Sequence, residues 1–349
     1  MAAKIKIAIC GNEIPDDEHG WVSACESRSD KVAYHRINLT ASNWLEQVKN
    51  VKADWYVLKP SFFTSHFKTL YDERILIMEE ELGLRVFPRR KEVFVYENKR
   101  FLSFFLMANG IPHPKTVVYY NEKEALEKTA SMSFPVVGKT NIGASGSGVS
   151  ILKTANEAQE YIQAVFSGKG AVKKVGPNKQ KPKLIQRGLK MLMNPAKLKK
   201  RLRAYKELIQ DKQTNFVIFQ NFTPHNHEWR AVRIGDSFFA HKKLKLGEKA
   251  SGSLLKNYDN PPLELMDFLK ELTDKLNFKS QAVDIFETPE GYLVNEMQCI
   301  FGQSDKYQML VDGKIGRYIH NDGSWVFEEG DFAHNQCYDL RLDYLLEHE

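Results

Sequence analysis

The sequence predicts an α/β protein (α+β in its later part) of two or three lobes, opening with a small doubly wound domain. Three observations carry that expectation. At 349 residues the chain is longer than one simple hydrophobic core usually serves. Its first ninety residues alternate short apolar strands with helical segments, the pattern of parallel βα units. Farther on, apolar stretches flank Gly235-Asp236, Pro289-Glu290-Gly291 and Asn321-Asp322-Gly323, which marks antiparallel hairpins.

Ile5–Cys10, Val32–Ile37 and Trp55–Leu58 read as strands. Val22–Cys25 starts a helix, Trp44–Val48 lies on a second, and a long third runs from about Ser61 to Leu82. On the third, Phe67, Leu70, Ile75 and Ile77–Met78 roughly follow a helical period. Leu84–Phe87 is a short fourth strand. Helix returns over Val95–Ala108 and stops at Gly110-Ile111-Pro112. Thr116–Tyr120, Phe134–Lys139 and Val149–Leu152 are strands, and Glu122–Thr129 and Asn156–Ala164 are helices. Phe216–Phe222 is a strongly apolar strand. Trp229–Ile234 pairs with Ser237–Leu244, Ala282–Phe286 with Tyr292–Met297, and Gly316–Ile319 with Trp325–Phe327. Pro261-Pro262 introduce a helix over Leu263–Leu276. There is no internal repeat.

Apolar content of 42% is enough for globular folding, and no apolar run is long enough to span a bilayer. The start, Met-Ala-Ala-Lys-Ile-Lys-Ile-Ala-Ile-Cys, reads as a strand rather than a secretion signal. Cys10, Cys25, Cys299 and Cys337 have neither metal-type spacing nor a disulfide framework, so a reduced, cytoplasmic protein is expected.

The net charge of +6 is unevenly spread: fifteen Lys/Arg and two acids, Glu207 and Asp211, fall between Ser167 and Gln213, so the remainder is near −7. The first half of this basic segment is rich in Gly, Pro and Lys and reads as a loop. The second half, from Asn194 to Asp211, reads as a helix with Asn194 as N-cap and Pro195 at its first position. Leu198, Leu202, Tyr205 and Ile209 form its apolar stripe. Three readings stay open: a solvated lid, a cationic surface for an anionic nucleotide sugar or polysaccharide precursor, and a contact with acidic membrane. Nucleic acid is disfavoured, because Tyr205 is almost the only aromatic there.

Two segments about 150 residues apart carry the chemistry. In the first, Lys139 ends an apolar strand and is followed by Gly143-Ala-Ser145-Gly146-Ser147-Gly148. Without bulky side chains, the backbone N–H groups of such a loop can approach phosphate oxygens. It is not a P-loop, since the lysine precedes the glycines. In the second, Asp284 lies on one strand of a hairpin and Glu296 and Gln298 on the other. Glu296 and Gln298 are two residues apart and share a face. Hard oxygen donors of this kind suit Mg²⁺, with Mn²⁺ as an alternative. A metal-bridged ATP site is the reading that joins the two segments.

The order of lysine, glycine-rich loop, hinge strand, basic hairpin and Asp…Glu-x-Gln resembles the ATP-grasp superfamily, in particular its carboxylate–amine ligases such as D-alanine–D-alanine ligase and the ribosomal-protein glutamate ligases. The resemblance runs from about Tyr96 to Gln303, and the βα lobe before it is similar to the family's N-terminal domain. It implies three segments: a pre-ATP-grasp domain over 1–93, a lid subdomain over 94–215 with the basic insertion 167–213, and a C-terminal subdomain over 216–349 with the metal site.

Residue by residue, Glu97-Asn-Lys99 followed by Gly110-Ile-Pro is similar to the family's helix whose lysine touches phosphate, which implies that role for Lys99. Lys139 looks like the second phosphate lysine, and Gly143, Ser145, Gly146, Ser147 and Gly148 like the loop that closes over the phosphates. Gln220, Asn221 and Phe222 match the hinge strand whose backbone reads adenine; the family often has Glu where Asn221 stands. Glu228 matches the ribose-binding acid. Arg230, with Lys243 or Lys242, is a partner for the γ-phosphate or an acyl phosphate. Asp284 and Glu296 match the metal carboxylates. Gln298 replaces the usual Asn and is one methylene longer, which leaves a second metal position open. His225 and His227 read as turn residues before Glu228.

The activity implied is ATP-dependent joining of a carboxylate to an amine through an acyl phosphate, with small-molecule substrates and a homodimer as the common assembly. The basic insertion motivates a sugar uronate joined to an amino acid. Lys59-Pro60-Ser61-Phe62-Phe63-Thr64, Glu13 and the Trp21 region are positioned to hold part of the acceptor. Phe301-Gly302-Gln303-Ser304, after the metal residues, would line the substrate side. A small-molecule kinase and a non-catalytic ATP-binding protein at membranes are the alternatives.

Overall fold

The computed structural model describes residues 3–61, 63–143, 147–171, 202, 205–246, 249–250 and 255–348. Contacts divide the chain into two units, the first made of Met1–Phe62, Phe67–His113 and His225–Glu349, the second of Phe63–His66 and Pro114–Pro224.

The first unit opens with four parallel strands in the order β2-β1-β3-β4: β1 Ile5–Gly11, β2 Val32–Asn38, β3 Trp55–Leu58 and β4 Val86–Phe87. Helices cover such a sheet on both faces, so Ile7, Ala8, Ile9 and Cys10 are all fully buried. Helix α1 (His19–Glu26) begins earlier than the apolar run Val22–Cys25 suggests, and α2 spans Trp44–Asn50. Helix α3 (Ser65–Leu76) begins later than Ser61 and continues as a π-helical turn over Ile77–Glu81. The reason for the late start is polar: the Asn12 side-chain amide donates to the carbonyls of Lys59 and Pro60 and holds that segment out of the helix.

The helix expected over Val95–Ala108 starts later, as α5 (Lys99–Ala108), and a separate short helix, α4 (Arg90–Val95), precedes it. Between them Glu97 takes a left-handed conformation, φ 48°. Asn98 then caps α5, its side chain accepting from the Phe101 N–H. The break sets Glu97 and Lys99 on a tight corner; on one continuous helix, two residues apart, they would point to opposite sides.

A larger sheet follows, in the order β14-β13-β9-β10-β16-β15, with β17 paired to β16 and two short strands to β10. Its strands are β9 His227–Ile234, β10 Ser237–Leu246, β11 Lys249–Ala250, β12 Lys256–Asn257, β13 Ser280–Thr288, β14 Gly291–Gln298, β15 Leu310–Val311, β16 Lys314–Asn321 and β17 Ser324–Glu329. Helix α8 (Leu263–Leu276) buries Leu265, Met266, Leu269, Leu272 and Leu276 in the same apolar cluster as Val232, Phe239 and Ile285 of the sheet. It begins after Pro262, as the Pro261-Pro262 pair indicates, and ends at Asn277, which takes a left-handed φ of 56°.

A last helix, α9 (Tyr338–Glu347), is absent from the sequence-based expectations. It follows Asn335, Gln336 and Cys337, all at positive φ, and it completes the core of the parallel-sheet lobe with Tyr338, Leu342 and Leu345. Gly20 admits it: a Cβ there would lie 2.3 Å from the Tyr338 ring.

The second unit holds a four-stranded antiparallel sheet in the order β5-β8-β6-β7: β5 Thr116–Tyr119, β6 Val136–Lys139, β7 Val149–Leu152 and β8 Val217–Asn221. Helices α6 (Glu122–Thr129) and α7 (Ala155–Phe166) add Ala125, Ala158, Tyr161, Ile162 and Val165 to its core. Strand β8 lies at residues assigned by sequence to the C-terminal segment. Its ladders run to β5 and β6, which places it in this unit. The expected helix over Asn194–Asp211 lies largely outside the described residues; 205–210 are helical. No helix among the described residues is long and apolar enough to cross a membrane.

Candidate active site

Residues directly opposite one another in antiparallel strands project to the same side of a sheet. In the first unit that register gathers one face. His241 on β10 lies opposite Arg230 on β9, Arg230 opposite Asp284 on β13, and Asp284 opposite Glu296 on β14. In the neighbouring row Lys256 on β12 is opposite Lys243, and Lys243 opposite Glu228. Six of the residues singled out from sequence, Glu228, Arg230, Lys243, Asp284, Glu296 and Gln298, thus converge here.

The contacts are ionic and largely buried. Arg230 grips Asp284 with two parallel hydrogen bonds of 2.9 and 3.0 Å and donates to Gln298 Oε1 at 3.2 Å. Lys243 Nζ donates to Asp284 at 2.7 Å and to Glu228 at 2.9 Å. Lys99, from the start of α5, reaches Glu296 at 3.2 Å and Glu97 at 3.5 Å. A β-bulge between Asp284 and Ile285 leaves Asn295 as the extra residue on β14, and its side-chain amide donates to Glu228 at 3.2 Å.

Asp284 is only 2% exposed. Burial alone would raise its pKa, but attraction from Arg230 and Lys243 outweighs it and holds the carboxyl far below the usual carboxylate range. The same balance acts on the cations. Burial pulls the Lys99 ammonium down, while Glu97 and Glu296 more than restore it and keep it firmly charged. Lys243 is likewise raised by Asp284 and Glu228 against the effect of burial. The face is therefore a charged array at neutral pH, with each ion held by a partner.

Alternation along β10 decides between the two lysines. Lys242 points away, donates to Asp259 at 3.0 Å and sits over the Trp229 ring, whereas Lys243 faces the array. His227 belongs to β9 rather than to a turn, and its ring packs on Trp229.

Two carboxylates and an amide oxygen on one face form a hard-oxygen set. Among the described residues no group of three or more His, Cys, Asp or Glu is arranged to hold a metal.

The other residues singled out belong to the second unit. Lys139 ends β6 and is buried. The base of the glycine-rich loop is closed by the Thr140 N–H, which donates to the Gly148 carbonyl at 2.8 Å. A Cβ on Gly148 would lie 1.6 Å from Thr140 Oγ1, so only glycine fits this closure. Gly143 and Ser147 flank the loop; Ser145 and Gly146 lie outside the described residues. On β8 the Gln220 amide donates to Thr116 Oγ1 at 3.3 Å, the Asn221 N–H donates to the Lys115 carbonyl, and Phe222 lies just past the strand.

Of the predicted acceptor segments, Lys59 is ion-paired to Asp17 at 3.0 Å and the Ser61 hydroxyl donates to Glu13 at 2.7 Å, at the carboxyl ends of β1 and β3. Phe62 is not described. Trp21 is fully buried, its indole N–H on the Leu58 carbonyl, and packs the lobe instead of lining a site. Sequence reasoning assigned no role to Glu97, Asn295 or His241. The left-handed turn and the bulge that aim the first two have no signature in the residues themselves.

No protein-family model matches the chain. Among curated proteins, a phosphoribosylamine–glycine ligase from a Nostoc species is 31% identical over 90 residues, a stretch that covers 26% of this chain and 21% of the relative. Solved structures match over much more. D-alanine–D-alanine ligase from Bacillus anthracis complexed with ATP superposes with a TM-score of 0.53 at 13% identity, over 99% of this chain and 97% of that one. The biotin carboxylase domain of Hydrogenobacter thermophilus 2-oxoglutarate carboxylase, solved with MgADP, ADP and bicarbonate, gives 0.53 at 12% identity, over 86% of this chain and 65% of that one. Both are ATP-grasp proteins.

This chain has the ATP-grasp fold. At these identities the likeness concerns architecture, and the ATP-grasp chain's own residues must carry any argument about chemistry. Among them, Arg230, Lys243, Asp284 and Glu296 share one strand face.

Proposed function

We propose that this ATP-grasp protein is an ATP-dependent carboxylate–amine ligase. The observation that supports it best is the array itself: Lys99, Arg230 and Lys243 interleaved with Glu97, Glu228, Asp284 and Glu296 on one buried face. Three cations set against four carboxylates leave one negative charge in excess, which a divalent cation would offset. Bound by Asp284, Glu296 and Gln298, Mg²⁺ would neutralise phosphate charge as it develops.

In this reading Lys99, Lys139, Gly143, Ser145, Gly146, Ser147 and Gly148 bind phosphate, Gln220, Asn221 and Phe222 bind adenine, and Glu228 binds ribose. Arg230 and Lys243 stabilise the phosphoryl group in transfer. A substrate carboxylate attacks the γ-phosphorus, ADP leaves, and an amine then displaces phosphate from the acyl phosphate. The protein supplies no covalent nucleophile; it positions the reactants and compensates charge. The substrate pair is the finer question. A sugar uronate, motivated by the basic segment 167–213, is one carboxylate to try, and amino acids are others.

Mg²⁺-dependent ADP release with a panel of carboxylates, with and without pooled amino acids, tests the reading. Release is expected to need both a carboxylate and an amine, and to fall by at least about a hundredfold in Glu296→Ala. ADP release with a polyol and no amine would replace the ligase reading with a kinase.

A further inference from the structure

On the array, the acids are already engaged by cations: Asp284 by Arg230 and Lys243, Glu228 by Lys243, Glu296 by Lys99. Beside it, Asp305 is held by Lys256 at 2.7 Å and by the Tyr258 hydroxyl at 2.6 Å. Each of these acid acceptors is charged and faces a cation. His241 offers an uncharged acceptor on the same face. It is 2% exposed and lies directly across from Arg230 on the same face. Its Nδ1 is 2.9 Å from the Gln308 carbonyl oxygen. A carbonyl only accepts, so Nδ1 carries the hydrogen and the neutral ring presents its lone pair at Nε2. Nε2 has no hydrogen-bond partner among the described residues.

We propose that His241 Nε2 receives an N–H of the amine nucleophile and orients its lone pair toward the acyl phosphate. The proposal rests on the ligase reading and deepens it by naming the residue that receives the second substrate.

Burial, with Lys256 and Arg230 nearby, pushes the imidazole down to about 3, so it is uncharged at working pH. Arg230 and Lys256 also oppose a further positive charge, so the amine is bound as a neutral group. The groups that face His241 are Arg230 on β9, Asp284 on β13, Lys256 on β12, and Tyr258, whose ring centroid is 5.3 Å from the imidazole. The step balances without an added base. The amine nitrogen bonds to the acyl carbon, the carbon–oxygen bond to phosphate breaks with its electron pair on phosphate, and the departing phosphate takes the amine's proton.

The test separates receiving the amine from making the acyl phosphate. Hydroxylamine, small and largely unprotonated at neutral pH, traps acyl phosphates as hydroxamates without needing an amine subsite. With the carboxylate and amine that support ADP release, His241→Phe is expected to raise the amine KM at least about tenfold. Hydroxamate formation and the ATP KM should stay within about twofold. His241→Gln keeps an acceptor oxygen and is expected to recover part of the loss. In wild-type protein labelled with 15N-histidine, the Nε2 resonance, assigned by its absence in His241→Gln, should move on addition of the amine, whether or not His241→Phe folds. An unchanged amine KM, an unmoved resonance, or an equal fall in hydroxamate and amide overturns the proposal while the ligase reading stands. Absence of both ADP release and hydroxamate in the wild type overturns both.

Discussion

Asp284→Ala is expected to unfold at markedly lower urea than the wild type and to lose ADP release. Asp284 is buried and accepts two hydrogen bonds from Arg230 and one from Lys243, itself a buried ammonium. Removing the carboxylate leaves two buried cations short of an anion, an imbalance that costs about 3–5 kcal/mol when a buried pair is broken from one side. Turnover should fall by about 10²–10³ or more, since the change removes a proposed metal ligand and releases the group that aligns Arg230. Asp284→Asn keeps the shape and part of the hydrogen bonding and should sit between the two in stability, with activity near that of the alanine variant. Urea midpoints and ADP release read out both effects. An Asp284→Ala protein with an unchanged midpoint would show that the Arg230–Asp284–Lys243 contacts do not hold the face together.

The second large effect concerns Glu92, which is fully buried at the head of α4. Its carboxyl accepts from three backbone N–H groups, those of Arg89 at 2.8 Å, Lys279 at 2.8 Å and Ser280 at 2.6 Å, and so ties α4 to β13. Glu92→Ala leaves these donors with nothing and should destabilise the protein by about 3 kcal/mol or more, at about 1–3 kcal/mol for each buried group left unsatisfied. The protonation state adds a pH signature. Desolvation raises the Glu92 pKa from 4.5 to about 7, against the pull of the three N–H donors. A carboxyl with a raised folded-state pKa binds its proton more tightly folded than unfolded. Its contribution is therefore complete below about 4.5 and is lost as pH rises through about 7. The size is on the order of 3 kcal/mol. Urea midpoints recorded from about pH 3.5 to about pH 8, about one unit either side of that window, should fall with pH in the wild type and flatten in Glu92→Gln. A wild-type curve with the same slope as Glu92→Gln would refute this assignment.

How far the sequence alone reaches can be judged from particular elements. Helix α8 was legible to the residue, because Pro261-Pro262 mark its start and the apolar run to Leu276 its body. The hairpin around Gly235-Asp236 was legible for the same reason, since a turn signal between apolar strands has few other uses. The order of motifs singled out Asp284, Glu296 and either Lys243 or Lys242 as candidates, and strand register brings Lys243, Asp284 and Glu296 to one face. Other parts depend on contacts between distant segments. Helix α9 has a weak apolar period, and its place is fixed by Gly20 and the core of the parallel sheet. The break at Glu97 comes just inside the start of a sequence that reads as helix from Val95. His241 looks like one more residue on an apolar strand until β10 is set against β9.

The account stands or falls on the acyl phosphate. A carboxylate that supports ADP release should be prepared with 18O in both oxygens and turned over with the amine, and the released phosphate examined by mass spectrometry. The expected result is one 18O atom carried from the carboxylate into each phosphate, with the other retained in the amide. Phosphate without the label, at the same rate of ADP release, would mean that the carboxylate never attacks phosphorus and would contradict the ligase mechanism.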